Sequence, residues 1–379
     1  MKPNEEELKL LAEIVHLKER LQTAQNKVRV RGKELKESNL PIYQQVPFLT
    51  PLYHLKAHTS KVHDVVWSPG DKYVLTIGAE GCIVLWETQT GLIHNVVDAS
   101  SIQPLTATAL SDDAEKIFCG GLCANVVLYN SKHRPPEDGY SYYENNLVYE
   151  HTGQVNTILC HQQTKLITTS LSDGALVWDI EKVRITGRFP HNNCSVQSLT
   201  LLTEEGNSFL TGSDDGVVRR WDIRQPGVLV CSFEPHQSDV NCIRPFPNGE
   251  NFVTGSEDAF IHLYDLRTDV TLARFFDPYI ASQQSQDVTE SSMTAPPEDP
   301  VRPEAPAVCD IAVSTSGRML LAGGRDSIVY FWDIAQPDQC LHREVEIGPV
   351  MKLVMSHKKT ALVMMTWDPR SRIRIMRPR

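Results

Sequence analysis

Short runs of alternating apolar and polar residues recur along most of the chain. Tyr73-Val-Leu-Thr-Ile77 and Leu166-Ile-Thr-Thr-Ser170 are examples, set between Gly, Asp and Asn. Period-two alternation of this length predicts half-buried antiparallel strands. Many runs close on an aromatic and a carboxylate or its relative: Leu85-Trp86-Glu87, Leu128-Tyr129-Asn130, Val177-Trp178-Asp179, Arg220-Trp221-Asp222, Leu263-Tyr264-Asp265 and Phe331-Trp332-Asp333. Successive aromatics lie 43, 49, 43, 43 and 68 residues apart. The last gap is one period plus an insertion of about 25 residues, and one further period reaches Ile375-Met376. Seven units of about 40 residues, each with four short strands, predict an all-β fold, a closed seven-bladed β-propeller over residues 47–379.

The units share an internal grammar. His58, His151, His191 and His236 open four of them, and the aromatic follows 27 to 30 residues later. Six residues before the aromatic stands Asp215, Asp258 or Asp326, with Glu80 in the first unit. This pattern resembles the WD-repeat family, whose blades bury a hydrogen-bonded His, Ser or Thr, Asp and Trp. Buried polar groups need partners, which is the physical reason for such a network. The resemblance implies a structural role for His58, Trp86, His151, Trp178, His191, Asp215, Trp221, His236, Asp258, Asp326 and Trp332. The second and seventh units are degenerate, with Cys123 at the second unit's Asp position.

Residues 1–34 follow another rule. Leu10, Ile14, Leu17, Leu21, Ala24 and Val28 alternate by four and three, a heptad seam, and no Pro or Gly interrupts before Gly32. An N-terminal coiled-coil helix is expected there, joined by a linker, 35–46. Its apolar stripe needs a cover, either the propeller or a second helix, and its narrowness suits a two-helix seam.

Composition narrows the function classes. The net charge is −10, which disfavours general nucleic-acid binding. No apolar run approaches the roughly 20 residues of a membrane span, and the acidic start, Glu5 to Glu7, does not read as a signal peptide. Nine cysteines without paired spacing read as reduced thiols. The segment 281–306, rich in Ser, Gln, Pro and acids, is expected to be a flexible surface loop at the entry to the sixth blade. A smaller insertion, 132–146, is expected to join the second and third blades. The basic C-terminus reads as a solvated last strand and tail.

Catalytic patterns are missing. The chain has no Gly-x4-Gly-Lys phosphate loop, no His-Glu-x-x-His and no Gly-x-Ser-x-Gly. Asp214 and Asp215 read as turn and blade residues, and Cys119 and Cys123 as thiols with no second ligand pair. No enzyme, cofactor or metal is expected.

A heptad helix, a linker and seven such units together resemble the β subunit of heterotrimeric G proteins, as a divergent member. His236-Gln-Ser-Asp-Val-Asn241, Thr254-Gly-Ser-Glu-Asp258, Leu263-Tyr-Asp-Leu-Arg267, Cys119-Gly-Gly-Leu122 and Thr366-Trp-Asp368 carry the likeness. The resemblance implies a γ subunit paired to the helix, a GDP-bound α subunit held on the face around the central channel, and effectors using the same face. It implies Lys61, Leu122, Asp239, Asn241, Glu257 and Trp367 as contacts. Each also has a plain reading: solvation for Lys61, rim packing for Leu122, a capped turn for Asp239, and a tucked channel edge for Trp367. Pro104, Gln154, Ser195, Gln197, His63, Cys82, Ile93 and Ala124 depart from that family. Membrane contact is expected only through lipidated partners, at the cytosolic face of the plasma membrane. The alternative is an unrelated WD-repeat scaffold for multiprotein assembly.

Overall fold

The computed structural model describes residues 49–378, except 101–103, 112, 133–141, 163, 192, 204–205, 235, 269, 276–306, 338, 359 and 368–371. The N-terminal helix, the linker and the 281–306 loop lie outside the described residues. Among the described residues, seven separate four-stranded antiparallel sheets form the blades of one ring. Blade 1 runs from Val62–Trp67 at the centre through Tyr73–Gly78 and Cys82–Glu87 to Ile93–Asp98 at the rim.

The central strands of blades 2 to 7 are Leu105–Leu110, Val155–His161, Val196–Leu201, Val240–Pro245, Val308–Val313 and Val350–Met355. Each opens on a buried apolar residue: Val62, Leu105, Val155, Val196, Val240, Val308 and Val350. Each then slips register by one residue against its neighbour, between its first and third positions. A bulge re-aims the side chains that follow it and sharpens the twist. Apolar side chains of neighbouring blades merge between the sheets. Leu75 and Leu85 of blade 1, for example, pack with Ile117 and Tyr129 of blade 2.

Polar side chains then stitch each blade to the next. Thr106 donates to the Val155 carbonyl, Asn156 to that of Val196, Ser198 to that of Val240, and Asn241 to that of Val308. Trp367 Nε1 donates to the Val62 carbonyl. At the two remaining seams a carboxylate accepts instead. Asp64 takes the Thr108 N–H, and Asp310 takes the Leu353 N–H.

Two expectations are corrected. Residues 142–146 begin the outer strand of blade 2, Tyr142–Glu150, pairing back onto Asn125–Lys132, so the insertion lies inside blade 2 rather than between blades. The basic C-terminus forms the expected last strand, but that strand is not solvated throughout. Arg372–Pro378 is the third strand of blade 7, flanked by Leu362–Thr366 and by Leu49–Leu55, which closes the ring. Ile373 and Ile375 are buried on one side of it, while Arg372 and Arg377 stay exposed. Pro51 sits at a bulge on the closing strand, which is an outer strand that tolerates it.

Candidate interaction face

One backbone bond recurs in all seven blades. The N–H that follows the second strand donates to the carbonyl that precedes the central strand. The pairs are Ala79 to Lys61, Leu122 to Pro104, Leu171 to Gln154, Asp214 to Ser195, Glu257 to Asp239, Arg325 to Ala307 and Trp367 to Pro349, at 2.8 to 3.2 Å. These fourteen residues ring the same end of the channel. Lys61, Leu122, Asp239, Glu257 and Trp367 are therefore brought onto one face by the fold itself.

Their environments differ. Leu122 is 52% exposed and free to be buried by a partner. Asp239 is half-buried, and its carboxyl is pushed up by burial first, then by Glu257 and Asp214. Glu257 holds Arg325 at 2.8 Å. Trp367 is the tucked residue: its N–H reaches the Val62 carbonyl at 2.7 Å, the Lys61 ammonium sits 4.7 Å over its ring, and His63 meets it edge-on. Asn241 lies inside the ring and donates across the blade 5–6 seam. Thus Trp367 and Asn241 hold the ring together, while Leu122, Asp239 and Glu257 face outward.

Leu171 escaped the sequence reading. It is 51% exposed and equivalent to Leu122 in the next blade. The signal was the 49-residue spacing that also separates Tyr129 from Trp178. The face consequently carries an apolar side, Leu122 and Leu171, beside an acidic arc, Asp214, Asp239 and Glu257.

Behind the face lie the buried networks. Trp86 donates to the Thr76 hydroxyl, which meets His58 Nε2 at 2.8 Å, and His58 Nδ1 meets Glu80 at 2.6 Å. A carboxylate only accepts, so Nδ1 carries the proton and Nε2 takes the hydroxyl's. Blade 3 repeats this with Trp178, Thr168, His151 and Asp173. Its turn places the acid five residues before the tryptophan, not six, so Asp173 was missed. In blade 5, His236 joins Thr254 to Asp258, with Tyr264 in the aromatic place.

Blades 4 and 6 depart from expectation. In blade 4, Trp221, Thr211 and His191 align, but His191 Nδ1 turns to the Phe189 carbonyl. Arg219, four residues on, holds Asp215 at 2.6 Å and keeps it out of the network. In blade 6, Ala322 replaces the threonine, Asp326 takes the Tyr330 hydroxyl, and the buried Trp332 N–H has no partner among the described residues. Cys119 and Met365 hold the threonine place in blades 2 and 7.

Burial lowers the pKa of His58 and His151 against the pull of their acids, and takes His191 down to about 4. It pushes the Cys119 thiol up to about 12. These groups are neutral and spent on structure. Cys194, Asp214 and Asp215 bring three ligand atoms within 4.8 Å of one another. Arg219 already grips Asp215 through two nitrogens, and burial followed by Asp215 raises the Cys194 pKa, so the trio is a turn rather than a metal centre.

The WD domain, G-beta repeat family matches residues 49–87, 184–222, 227–265 and 302–333. A guanine nucleotide-binding protein subunit beta of Oryza sativa subsp. japonica is 25% identical, covering 96% of this chain and 97% of that protein. One from Zea mays is 26% identical over 84% of this chain and 81% of its own length. The crystal structure of RRP9 WD40 repeats superposes with a TM-score of 0.69 at 18% identity, covering 88% of this chain and 99% of that one, a likeness of fold. The described residues form a seven-bladed β-propeller, and four stretches of it match WD40 repeats.

Proposed function

We propose that this WD40 propeller is a β-type subunit of a heterotrimeric G-protein assembly. It would bind a GDP-bound α subunit on the loop-ringed face and release it, freeing the face for effectors. The observation that carries the reading is the seven-fold backbone ring, which gathers Lys61, Leu122, Asp239, Glu257 and Trp367 at one mouth of the channel. Similarity to β subunits along nearly the whole chain supports it. The heptad residues Leu10 to Val28 would pair with a γ subunit, whose lipid would hold the dimer at the cytosolic face of the plasma membrane.

A pull-down from the native source in GDP and in a GTP analogue, read by mass, tests this. An α subunit retained in GDP and lost in the analogue is expected, together with a chain of under about 100 residues ending in a prenylation motif. Recovery of neither overturns the reading. A second reading, a WD40 scaffold for other complexes, is favoured by Pro104, Gln154 and Ser195. They occupy three of the fourteen ring positions and depart from the β-subunit pattern.

A further inference from the structure

The central strands enclose a channel of about 690 Å³, and two carboxylates and two cations meet on its wall. Asp310 receives Arg244 Nη2 on both oxygens, at 2.7 and 2.9 Å, and the backbone N–H groups of Ile311 and Leu353. Asp64 accepts the N–H groups of Val65 and Thr108 and takes Lys352 Nζ at 3.3 Å. The acids are thus turned into the wall and saturated there, with side chains 2% and 14% exposed. Lys352, 33% exposed, reaches the lumen with one carboxylate contact, while Arg244, 30% exposed, spends Nε on the Ile311 carbonyl and Nη1 on that of Ile243 as well as Nη2 on Asp310.

Lys352 has spare capacity. An ammonium offers three donors, and among the described residues its one ion-pair partner is Asp64. Asp64 chiefly, against burial, and then Asp310 raise its pKa, while Arg244 opposes them as a like charge. The ammonium is retained, with donors left for an anion in the cavity. The four-charge group is neutral in sum, and Lys352 is its member with donors left for the cavity.

We propose that the channel is a binding site for the phosphate group of a small molecule, with Lys352 as its anchor. A compact ammonium is a standard phosphate partner, and the volume lies within the range of small-molecule sites, about 300 to 1,000 Å³. The site is independent of the outer face and of any α subunit.

Pyrophosphate, titrated calorimetrically into the full chain, is the probe. One molar equivalent should bind, with a rise in thermal midpoint. Lys352→Gln should weaken binding by about ten-fold or more, the scale of one lost charge-assisted bond. Lys352→Arg should retain it, and Lys182→Gln, at an exposed surface lysine, should leave it unchanged. Asp64→Asn, which removes the competing charge, should tighten it. No heat at millimolar pyrophosphate, or equal affinity in Lys352→Gln, overturns the proposal. Should Lys352→Gln fail to fold, unchanged or weaker binding in Asp64→Asn overturns it instead.

Discussion

Trp367 donates its indole N–H to the carbonyl of Val62, 2.7 Å away, across the seam where the last blade meets the first. The same seam carries Trp67 Nε1 on the Val354 carbonyl, and Asp71 accepting the backbone N–H groups of His357 and Lys358 at 2.6 and 2.8 Å. That seam is held by several side chains at once. Trp367→Phe keeps an aromatic ring but loses the donor to that carbonyl. A loss of about 1 to 2 kcal/mol in urea unfolding is expected. No change in midpoint would show the bond to be idle.

Asp71→Ala removes two charge-assisted bonds on the opposite side of that seam. It should destabilise by about 2 kcal/mol, with the blade 7 amides losing hydrogen-exchange protection first. Uniform loss across all blades would contradict a local latch.

The blade networks predict opposite outcomes at one equivalent position. Thr168→Val strands both His151 and the Trp178 N–H, and should cost about 1 to 3 kcal/mol. Ala322→Thr offers the orphaned Trp332 N–H an acceptor and should gain about 1 kcal/mol. Differential scanning calorimetry of both variants decides, and a destabilised Ala322→Thr would mean that blade 6 has no room for the hydroxyl.

Acid should loosen the ring before carboxylates titrate. Burial lowers His191 to about 4 and His262 to about 3 from an unfolded value near 6.5, so between those limits the unfolded chain binds more protons. Stability is complete above pH 6.5 and falls as pH drops toward 4. Denaturant midpoints measured from pH 7.5 to 4.5 should decline, and His262→Gln should flatten the slope. A flat wild-type profile would refute the burial argument.

Leu122→Arg should separate binding from folding. The side chain is half exposed, so stability should shift by less than about 0.5 kcal/mol. If the face docks an α subunit, affinity should fall about ten-fold or more. An unchanged affinity would move the contact elsewhere.

The repeat period made the propeller legible, because a 43-residue spacing survives even where single signature residues are lost. The networks were legible where the turn kept its length. A one-residue shorter turn hid Asp173, and a nearby arginine diverted Asp215, an event that depends on side-chain reach rather than spacing. Ring closure was illegible for another reason. Leu49–Leu55 pairs with a strand more than 300 residues away, and its alternation does not name that partner. The channel charges were hidden too, since Asp64 and Lys352 are single residues in otherwise apolar runs and meet only when the circle shuts.

Because the outer strand of blade 7 is Leu49–Leu55, the ribosome makes one strand of that sheet before the other six blades and its remaining three strands after them. The early strand leaves the exit tunnel with a bare edge and must remain unpaired until Arg372–Pro378 emerges. Six sheets can form in order during synthesis, but the circle itself can be sealed only once Arg372–Pro378 has been made, and the waiting edge is an obvious place for a chaperone to hold.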